Sequence, residues 1–281
     1  MTIAIIDGDI ICYQCTYNIW QNRLQDAGIK PDSKGIYKVT LDADGNKFIP
    51  PMTREQETKY LKTCWEIFKK KLNDLLEVTY CDEFVMAVKG GSSFRDHMFD
   101  TYKGNREQTE EVRNAFVPTI RQLAVHELDA IPCVGYEADD LLRIWRRQAN
   151  EAGQDNVLCT IDKDLKCEPG LYFNMHKMHW RMETISEHDA LYNYYYQLIL
   201  GDGTDNVPGI QGVGKVGAKR ILSGALTDND FQEAVVGAYI ARYQDSWFSS
   251  LLANGRMIHL WRYPHDYFNP REWAVVRELL E

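Results

Sequence analysis

The sequence lacks long apolar segments. No uninterrupted apolar run approaches the roughly 18 residues that a membrane span needs. Met1 leads directly into Thr-Ile-Ala-Ile-Ile-Asp, without a basic leader region or a small-residue cleavage site. The seven cysteines are scattered and odd in number, which is typical of free thiols in a reducing compartment rather than of a disulfide framework. We therefore expect a protein of the cytoplasm with no membrane partner.

Positive charge is also in short supply. The chain has 32 Lys and Arg residues against 41 Asp and Glu residues, a formal net charge of −9. Bulk electrostatics therefore disfavours non-specific binding to nucleic acid. The balance is misleading, however, if many of the acids gather in one site to hold cations.

Apolar strands alternate with helical segments through the first 200 residues. Strands are predicted at 2–6, 84–88, 131–134, 157–161, 171–174 and 179–185, and helices at about 9–20, 53–77, 115–127, 137–151 and 186–200. Thr53, with Gln56 three residues on, forms a capping box at one helix start. Alternating strands and helices predict an α/β fold with a mainly parallel, twisted sheet flanked by helices.

Two further segments interrupt this pattern. Residues 36–49 predict a hairpin, and 89–113 lose hydrophobic periodicity and predict a mobile arch. Past residue 200 the sequence consists of glycine-punctuated helices. We therefore divide the chain into an α/β domain, 1–200, and a helical subdomain, 201–281. The helix at 137–151 is expected to place Arg143, Arg146 and Arg147 on its outer face.

Acidic side chains follow several of the predicted strands. Ligands of open α/β sheets bind beyond the carboxyl ends of the strands, so acids distant in sequence are expected to meet there. Such a group suits Mg²⁺ or Mn²⁺, and two such ions clamp a phosphodiester for hydrolysis. The alternative is that each acid is a helix cap or turn residue. The candidate ligands are Asp7, Glu137, Asp139, Asp140, Asp162, Asp164, Asp202 and Asp205.

A glycine-rich segment with local positive charge spans 208–222. It is not a P-loop, because Val216 occupies the Ser/Thr position and no buried strand precedes it. We interpret 203–224 as a helix–hairpin–helix whose backbone amides and basic side chains bind phosphate without regard to base; the alternative is a plain turn between helices. The residues expected to contact DNA here are Gly212, Gly214, Lys215, Lys219 and Arg220.

With these motifs in place, the sequence resembles the 5′-nuclease family of flap endonucleases, 5′–3′ exonuclease domains of bacterial DNA polymerase I and bacteriophage 5′–3′ exonucleases. The matching motifs occur in family order across about 7 to 222. They are Ile6-Asp7-Gly8-Asp9, Phe94-Arg95, Tyr102-Lys103-Gly104-Asn105-Arg106, Glu137-Ala138-Asp139-Asp140, Thr160-Ile161-Asp162-Lys163-Asp164, and Gly201-Asp202 through Asp205 into the Gly212–Leu222 hairpin.

The resemblance implies a structure-dependent nuclease that uses two metal ions beneath an arch and cleaves DNA from 5′ ends or flaps. It assigns catalytic roles to Lys103, Arg106, Asp140 and Asp162, stacking on a base to Tyr102, and a K⁺ ion to the hairpin. It departs from the family at Val88, where an acid is usual. Either the alignment slips across the Lys89-Gly90-Gly91 turn, or one metal has a ligand fewer.

We therefore predict a DNA phosphodiester hydrolase that acts as a monomer on duplex with a 5′ end or flap, with RNA–DNA hybrid as a further substrate. Analogy suggests a bacteriophage protein of DNA replication in the host cytoplasm. Two alternatives remain open: a PIN-like ribonuclease with the same acidic site, and a catalytically silent, structure-selective DNA-binding protein.

Overall fold

The computed structural model describes residues 1–33, 35, 37, 51–99, 102–103, 114–176 and 182–281. Six strands form one sheet in the order β3-β2-β1-β4-β5-β6. All neighbours run parallel except β5 and β6, which are antiparallel. The strands are β1 (Ile3–Asp7), β2 (Glu83–Ser93), β3 (Ile131–Gly135), β4 (Asn156–Thr160), β5 (Gly170–Asn174) and β6 (Met182–Ile185). The predicted α/β class and mainly parallel sheet are confirmed.

Ten helices accompany the sheet in the described part of the chain. They are α1 (Gly8–Asp26), α2 (Arg54–Thr79), α3 (Phe94–Met98), α4 (Phe116–Leu128), α5 (Ala138–Glu151), α6 (Glu187–Leu200), α7 (Lys215–Ile221), α8 (Asp228–Tyr243), α9 (Trp247–Ile258) and α10 (Ala274–Leu280). The capping box at Thr53 is present, with hydrogen bonds in both directions to Gln56. None of these helices is both long and apolar enough to cross a bilayer.

The apolar side chains form three clusters. One covers a face of the sheet beneath α1, α2 and α4, and includes Ile6, Phe68 and Ile120. A second lies on the other face under α5 and includes Leu142. A third is formed by α6 to α10 and contains Phe231. Since α6 supplies buried residues to this third cluster, the helical core begins before residue 201; the two-domain division stays a prediction.

The segment after residue 88 differs from the prediction. Residues 89–93 continue β2 in place of opening an arch, and α3 follows at once. The register between β2 and β3 shifts between Lys89 and Ser93, as at a β-bulge. Most of the expected arch (100–101 and 104–113) and of the expected hairpin (36 and 38–49) lies outside the described residues.

Two of the three arginines predicted on the outer face of α5 differ from the prediction, whereas Arg147 lies on the surface and pairs with Glu151. Arg143 and Arg146 are 6% and 1% exposed, so they do not lie on an outer face. Their guanidinium groups donate to backbone carbonyls, Arg143 to Leu260 (2.6 Å) and Arg146 to Pro169 (2.9 Å). Burial is tolerated because these donors are satisfied by fixed acceptors.

Within the predicted span 203–224 the structure has one helix, α7. The helix before the loop is α6, which ends at Leu200, and the loop closes through a close approach of Gly201 to Gly209. Gly209 has φ +62°, and a Cβ there would lie 2.4 Å from the Gly201 nitrogen. Glycine at this position therefore lets the loop fold back on the end of α6.

Candidate active site

The strand order reverses between β1 and β4. In a sheet of this topology, the crevice beyond the carboxyl ends at the reversal is the usual ligand site. Asp7 ends β1 and Asp162 follows β4 by two residues, while Thr160 at the end of β4 donates a hydrogen bond to Asp7 Oδ2 (3.0 Å). The fold thus brings acids 155 positions apart in sequence to one edge of the sheet.

Four of the predicted acids lie in this crevice with raised pKa values. We call them the acidic cluster: Asp7, Asp139, Asp162 and Asp164. Burial raises the pKa of Asp7 to about 7, and the charges of Asp9 and Asp162 add to the effect. Burial is also the largest cause of the raised pKa of Asp139, and the charges of Asp162 and Asp7 add to it. These shifts show that the carboxylates share one poorly solvated region.

The two acids after β4, Asp162 and Asp164, also have raised pKa values. Burial and the charge of Asp162 raise the pKa of Asp164 to about 8. Its Oδ1 atom is buried without a hydrogen-bond partner in the described residues, and Lys163 Nζ lies 3.6 Å from it. The pKa of Asp162 is raised by burial, although its carboxylate accepts the Asp164 amide at 2.8 Å.

The other predicted acids are held by cations or by donors. Glu137 accepts from Arg95 Nη1 (3.2 Å), from the Tyr102 hydroxyl (3.1 Å) and from Lys103 Nζ. Asp205 accepts from the same hydroxyl at 3.1 Å, and Lys103 Nζ lies 3.8 Å from it. Asp202 accepts the Thr204 amide at 2.7 Å. Hydrogen-bond donors and the cations of Arg95 and Lys103 therefore offset part of the negative charge on this side of the crevice.

Asp140 occupies a different place from the one predicted. It is fully buried and forms a two-pronged ion pair with Arg95, with nitrogen–oxygen distances of 2.7 and 2.8 Å. Its oxygens also accept the amides of Glu137 and Trp261, each at 3.0 Å. With both oxygens engaged in this way, Asp140 fixes the start of α5 and does not face the crevice as a metal ligand or catalytic acid.

Tyr102 also differs from its predicted role. It is 7% exposed, and its hydroxyl is held by Glu137 and Asp205. The ring packs in the core of the helical region, so it cannot stack on a base in this conformation. Lys103 beside it contacts Glu137 at the crevice, and its contact with the phosphate stays a prediction; Arg106 lies outside the described residues.

Asp9 and Arg121 belong to the site but were not predicted. Asp9 accepts the Lys89 amide at 3.2 Å and Arg121 Nε at 2.6 Å. It therefore brings a carboxylate to β2 at Lys89, directly after the buried Val88 that stands at the usual acidic position. Its placement two residues after Asp7, on the first turn of α1, is the sequence signal that could have indicated it.

The donor set fits hard divalent cations. Carboxylate oxygens are the ligands that Mg²⁺ and Mn²⁺ prefer, and a cation would relieve the repulsion that raises the pKa values of the acidic cluster. In the described part of the chain, however, no three His, Cys, Asp or Glu side chains converge closely enough to hold one ion as they stand. Side-chain adjustment would accompany binding.

The basic side chains predicted to bind DNA lie on α7, after the loop that contains Asp202 and Asp205. Lys215, Lys219 and Arg220 are exposed on α7, while Ala218 and Leu222 pack inward. Gly214 precedes the helix, and Gly212 has φ +84°. The Lys103 amide donates to the Asp205 carbonyl at 3.0 Å. The loop that leads to α7 therefore contacts Lys103, which lies within the predicted arch.

Replacing Asp164 with Asn is expected to change stability in a pH-dependent way. The folded carboxyl has a pKa of about 8, raised from 3.8, so the folded state binds a proton more tightly than the unfolded chain, and the protein loses stability as pH rises from the lower value to the higher one. Relative to wild type, Asp164→Asn should gain about 3 kcal/mol of unfolding free energy between pH 6 and 9, nearly all of it below pH 8. Urea denaturation in EDTA measures the unfolding free energy of both proteins. A difference between them that does not change with pH would contradict the raised pKa of Asp164.

Known proteins resemble this chain over much of its length. Residues 46–169 match the family model of the 5′-3′ exonuclease N-terminal, resolvase-like domain. DNA polymerase I of Rhizobium leguminosarum is 27% identical over 210 residues, covering 67% of this chain and 21% of the polymerase. The thermostable DNA polymerase I of Thermus aquaticus is 30% identical over 140 residues, covering 46% and 16%. The chain thus spans about a fifth of these relatives' length.

Solved structures share the fold. The bacteriophage T5 flap endonuclease, in a pseudo-enzyme–product complex with DNA and metal ions, matches with a TM-score of 0.50 and 16% identity, covering 92% of this chain and 99% of that one. The T5 5′-exonuclease with divalent zinc ions matches with a TM-score of 0.54 and 15% identity, covering 92% and 100%. The family model, the relatives and the fold together confirm the resemblance of this chain to the 5′-nuclease family.

Proposed function

We propose that this protein hydrolyses DNA phosphodiester bonds near 5′ ends or flaps with the help of two divalent cations. The observation that carries the proposal is the acidic cluster at the strand reversal, where burial and mutual repulsion raise the pKa of each carboxyl. That repulsion destabilises the fold unless a cation or proton relieves it. Mg²⁺ or Mn²⁺, when held there, would supply Lewis acidity for phosphodiester hydrolysis.

The chain's own residues supply position and charge. Asp7, Asp139, Asp162 and Asp164 would hold the cations, with Glu137, Asp202 and Asp205 around them. Lys103, at the edge of the crevice, would stabilise negative charge on the phosphate that is cut. Lys215, Lys219 and Arg220 would hold the duplex by its phosphates, without reading the bases. A K⁺ ion near Gly212 and Gly214, an Arg106 contact to phosphate and a monomeric state remain predictions.

A cleavage assay on defined substrates tests the proposal. The purified chain is incubated with labelled duplex, 5′-flap, RNA–DNA hybrid and single-stranded RNA, in Mg²⁺, Mn²⁺ or EDTA. We expect metal-dependent cutting of duplex or flap that leaves 5′-phosphate products, and no cutting in EDTA. Cutting of RNA alone would indicate a PIN-like ribonuclease, and binding of DNA without cutting under any condition would indicate a silent binding protein.

Replacing Lys103 with Met is expected to slow the chemistry more than binding. Removing one positioned charge from a developing anion lowers kcat by about 100-fold, whereas a single phosphate contact contributes little to the KM for a long substrate. Single-turnover and steady-state kinetics separate the two effects. Lys70→Gln, on the exposed face of α2, is the matched control; equal changes in kcat and KM would contradict the role given to Lys103.

A further inference from the structure

A second concave feature lies beside the acidic cluster, at the edge of the sheet. It is a cavity of about 390 Å³ between the end of β2, β3 and α4, which we call the β2–α4 cavity. The irregular part of β2, where its register with β3 shifts, forms one wall of the cavity. There β2 lies very close to β3, and a Cβ at Gly90 would lie 2.9 Å from the Cys133 carbonyl oxygen. The main chain there can approach β3 only as glycine.

The lining of the β2–α4 cavity is basic and apolar. Lys89, Arg121 and His126 contribute to it, and no Asp or Glu is among its ten described lining residues, in a chain with a net charge of −9. The remaining wall includes Val88 and Val125, with prolines and glycines between them. Cations around an apolar wall match a ligand that joins an anionic group to an uncharged ring.

The cavity is linked to the acidic cluster through Asp9. Arg121 in the cavity wall donates to Asp9 at 2.6 Å, and the amide of Lys89, also in the wall, donates to the same carboxylate. Asp9 lies on the first turn of α1, two residues after Asp7 at the end of β1. The β2–α4 cavity therefore lies on the Asp9 side of the acidic cluster.

We propose that the β2–α4 cavity binds the terminal nucleotide of a DNA strand through its 5′-phosphate. The phosphate lies against Lys89 and His126, and the sugar or base lies against the valines. A cavity volume of this size lies at the lower end of the range for small-ligand sites, which suits one nucleotide and not a length of duplex. The inference rests on the proposed function, because it makes the cavity the place where a strand end is held beside the cleavage site.

The experiment measures binding in EDTA, so that no cleavage is needed. The full chain is titrated into two thymidine oligonucleotides that carry a 3′ fluorophore and differ only in a 5′-phosphate or 5′-hydroxyl, with anisotropy as readout. We expect the phosphorylated strand to bind about 5-fold more tightly, since the phosphate dianion faces the Lys89 ammonium and can accept a hydrogen bond from the His126 ring. Thymidine 5′-monophosphate should compete for this preference, and thymidine should not.

Variants locate the preference in the cavity. Lys89→Gln leaves the backbone amide on Asp9 in place, and His126→Gln alters an exposed side chain, so both should fold normally. Each should reduce the 5′-phosphate preference by about 3-fold, and Gln122→Trp, which fills the cavity, should abolish it. Lys70→Gln is the control and should change nothing.

Two results would overturn the proposal. One is equal affinity of the wild-type chain for the two oligonucleotides. The other is a preference that persists unchanged in both Lys89→Gln and Gln122→Trp, with circular dichroism confirming that the variants are folded. Because no divalent cation is present, these outcomes are independent of whether the chain cleaves DNA. A failure of the cleavage assay is therefore distinguishable from a failure of this inference.

Discussion

Asp162→Asn is expected to lower the rate of DNA cleavage by about 1,000-fold while DNA binding is retained. A carboxylate that holds a Lewis-acid cation contributes several kcal/mol to transition-state stabilisation, and each 1.4 kcal/mol is a factor of ten in rate. The Asn side chain keeps the oxygen that accepts the Asp164 amide, so the local turn is preserved. Single-turnover cleavage in Mg²⁺ and anisotropy in Ca²⁺ measure the two quantities.

Two comparisons make this result specific to the acidic cluster. Asp74→Asn removes a carboxylate from the exposed face of α2, where it pairs with Lys70, and should leave cleavage unchanged. Asp162→Asn should also unfold no more readily than wild type in EDTA, because it removes a charge from a repelling group. Wild-type turnover in Asp162→Asn would refute the assignment of the site.

Asp140→Ala is expected to destabilise the fold by about 3–5 kcal/mol. Removing one partner of a buried ion pair leaves the other charge uncompensated, here the fully buried Arg95 guanidinium. Arg95 also donates to the carbonyls of Met257, in the last turn of α9, and of His259, just after it, so the loss reaches from α5 to the end of α9. Urea denaturation measures the change in unfolding free energy.

A double variant separates this structural role from a catalytic one. Replacing both partners, in Arg95→Met with Asp140→Leu, should recover part of the stability, since apolar residues of similar volume often substitute for buried ion pairs. If Asp140→Ala were as stable as wild type and had simply lost cleavage, Asp140 would be a ligand of the crevice after all. We expect instead that Asp140→Ala is less stable than wild type.

The acids of the crevice could be predicted because their placement follows from local patterns. Apolar runs such as the one before Asp7 predict buried strands, and the alternation with helices predicts that those strands are parallel. Parallel strands bring their carboxyl ends to one edge, so Asp7, Asp139 and Asp162 were expected to meet. In the structure, burial and the charges of neighbouring carboxylates raise the pKa of each of the three, as expected of acids in one crevice, and their role as metal ligands stays a prediction.

The roles of individual residues depended on long-range partners that no local pattern contains. Asp140 has the same local signal as Asp139, yet Arg95, 45 positions earlier, fixes it in the interior. Arg143 resembles a surface residue on a helix, but the Leu260 carbonyl 117 positions later receives its guanidinium. Tyr102 was expected at a DNA surface, and two carboxylates hold it inside.

The most direct test is an anomalous difference map from crystals of the protein soaked in Mn²⁺. The account predicts strong peaks in the crevice at the β1–β4 reversal, within coordination distance of carboxylates from Asp7, Asp139, Asp162 and Asp164, with the same peaks lost or weakened in Asp162→Asn. A fully soaked crystal whose map has no peak among these side chains, in a preparation that cleaves DNA in Mn²⁺, would contradict it.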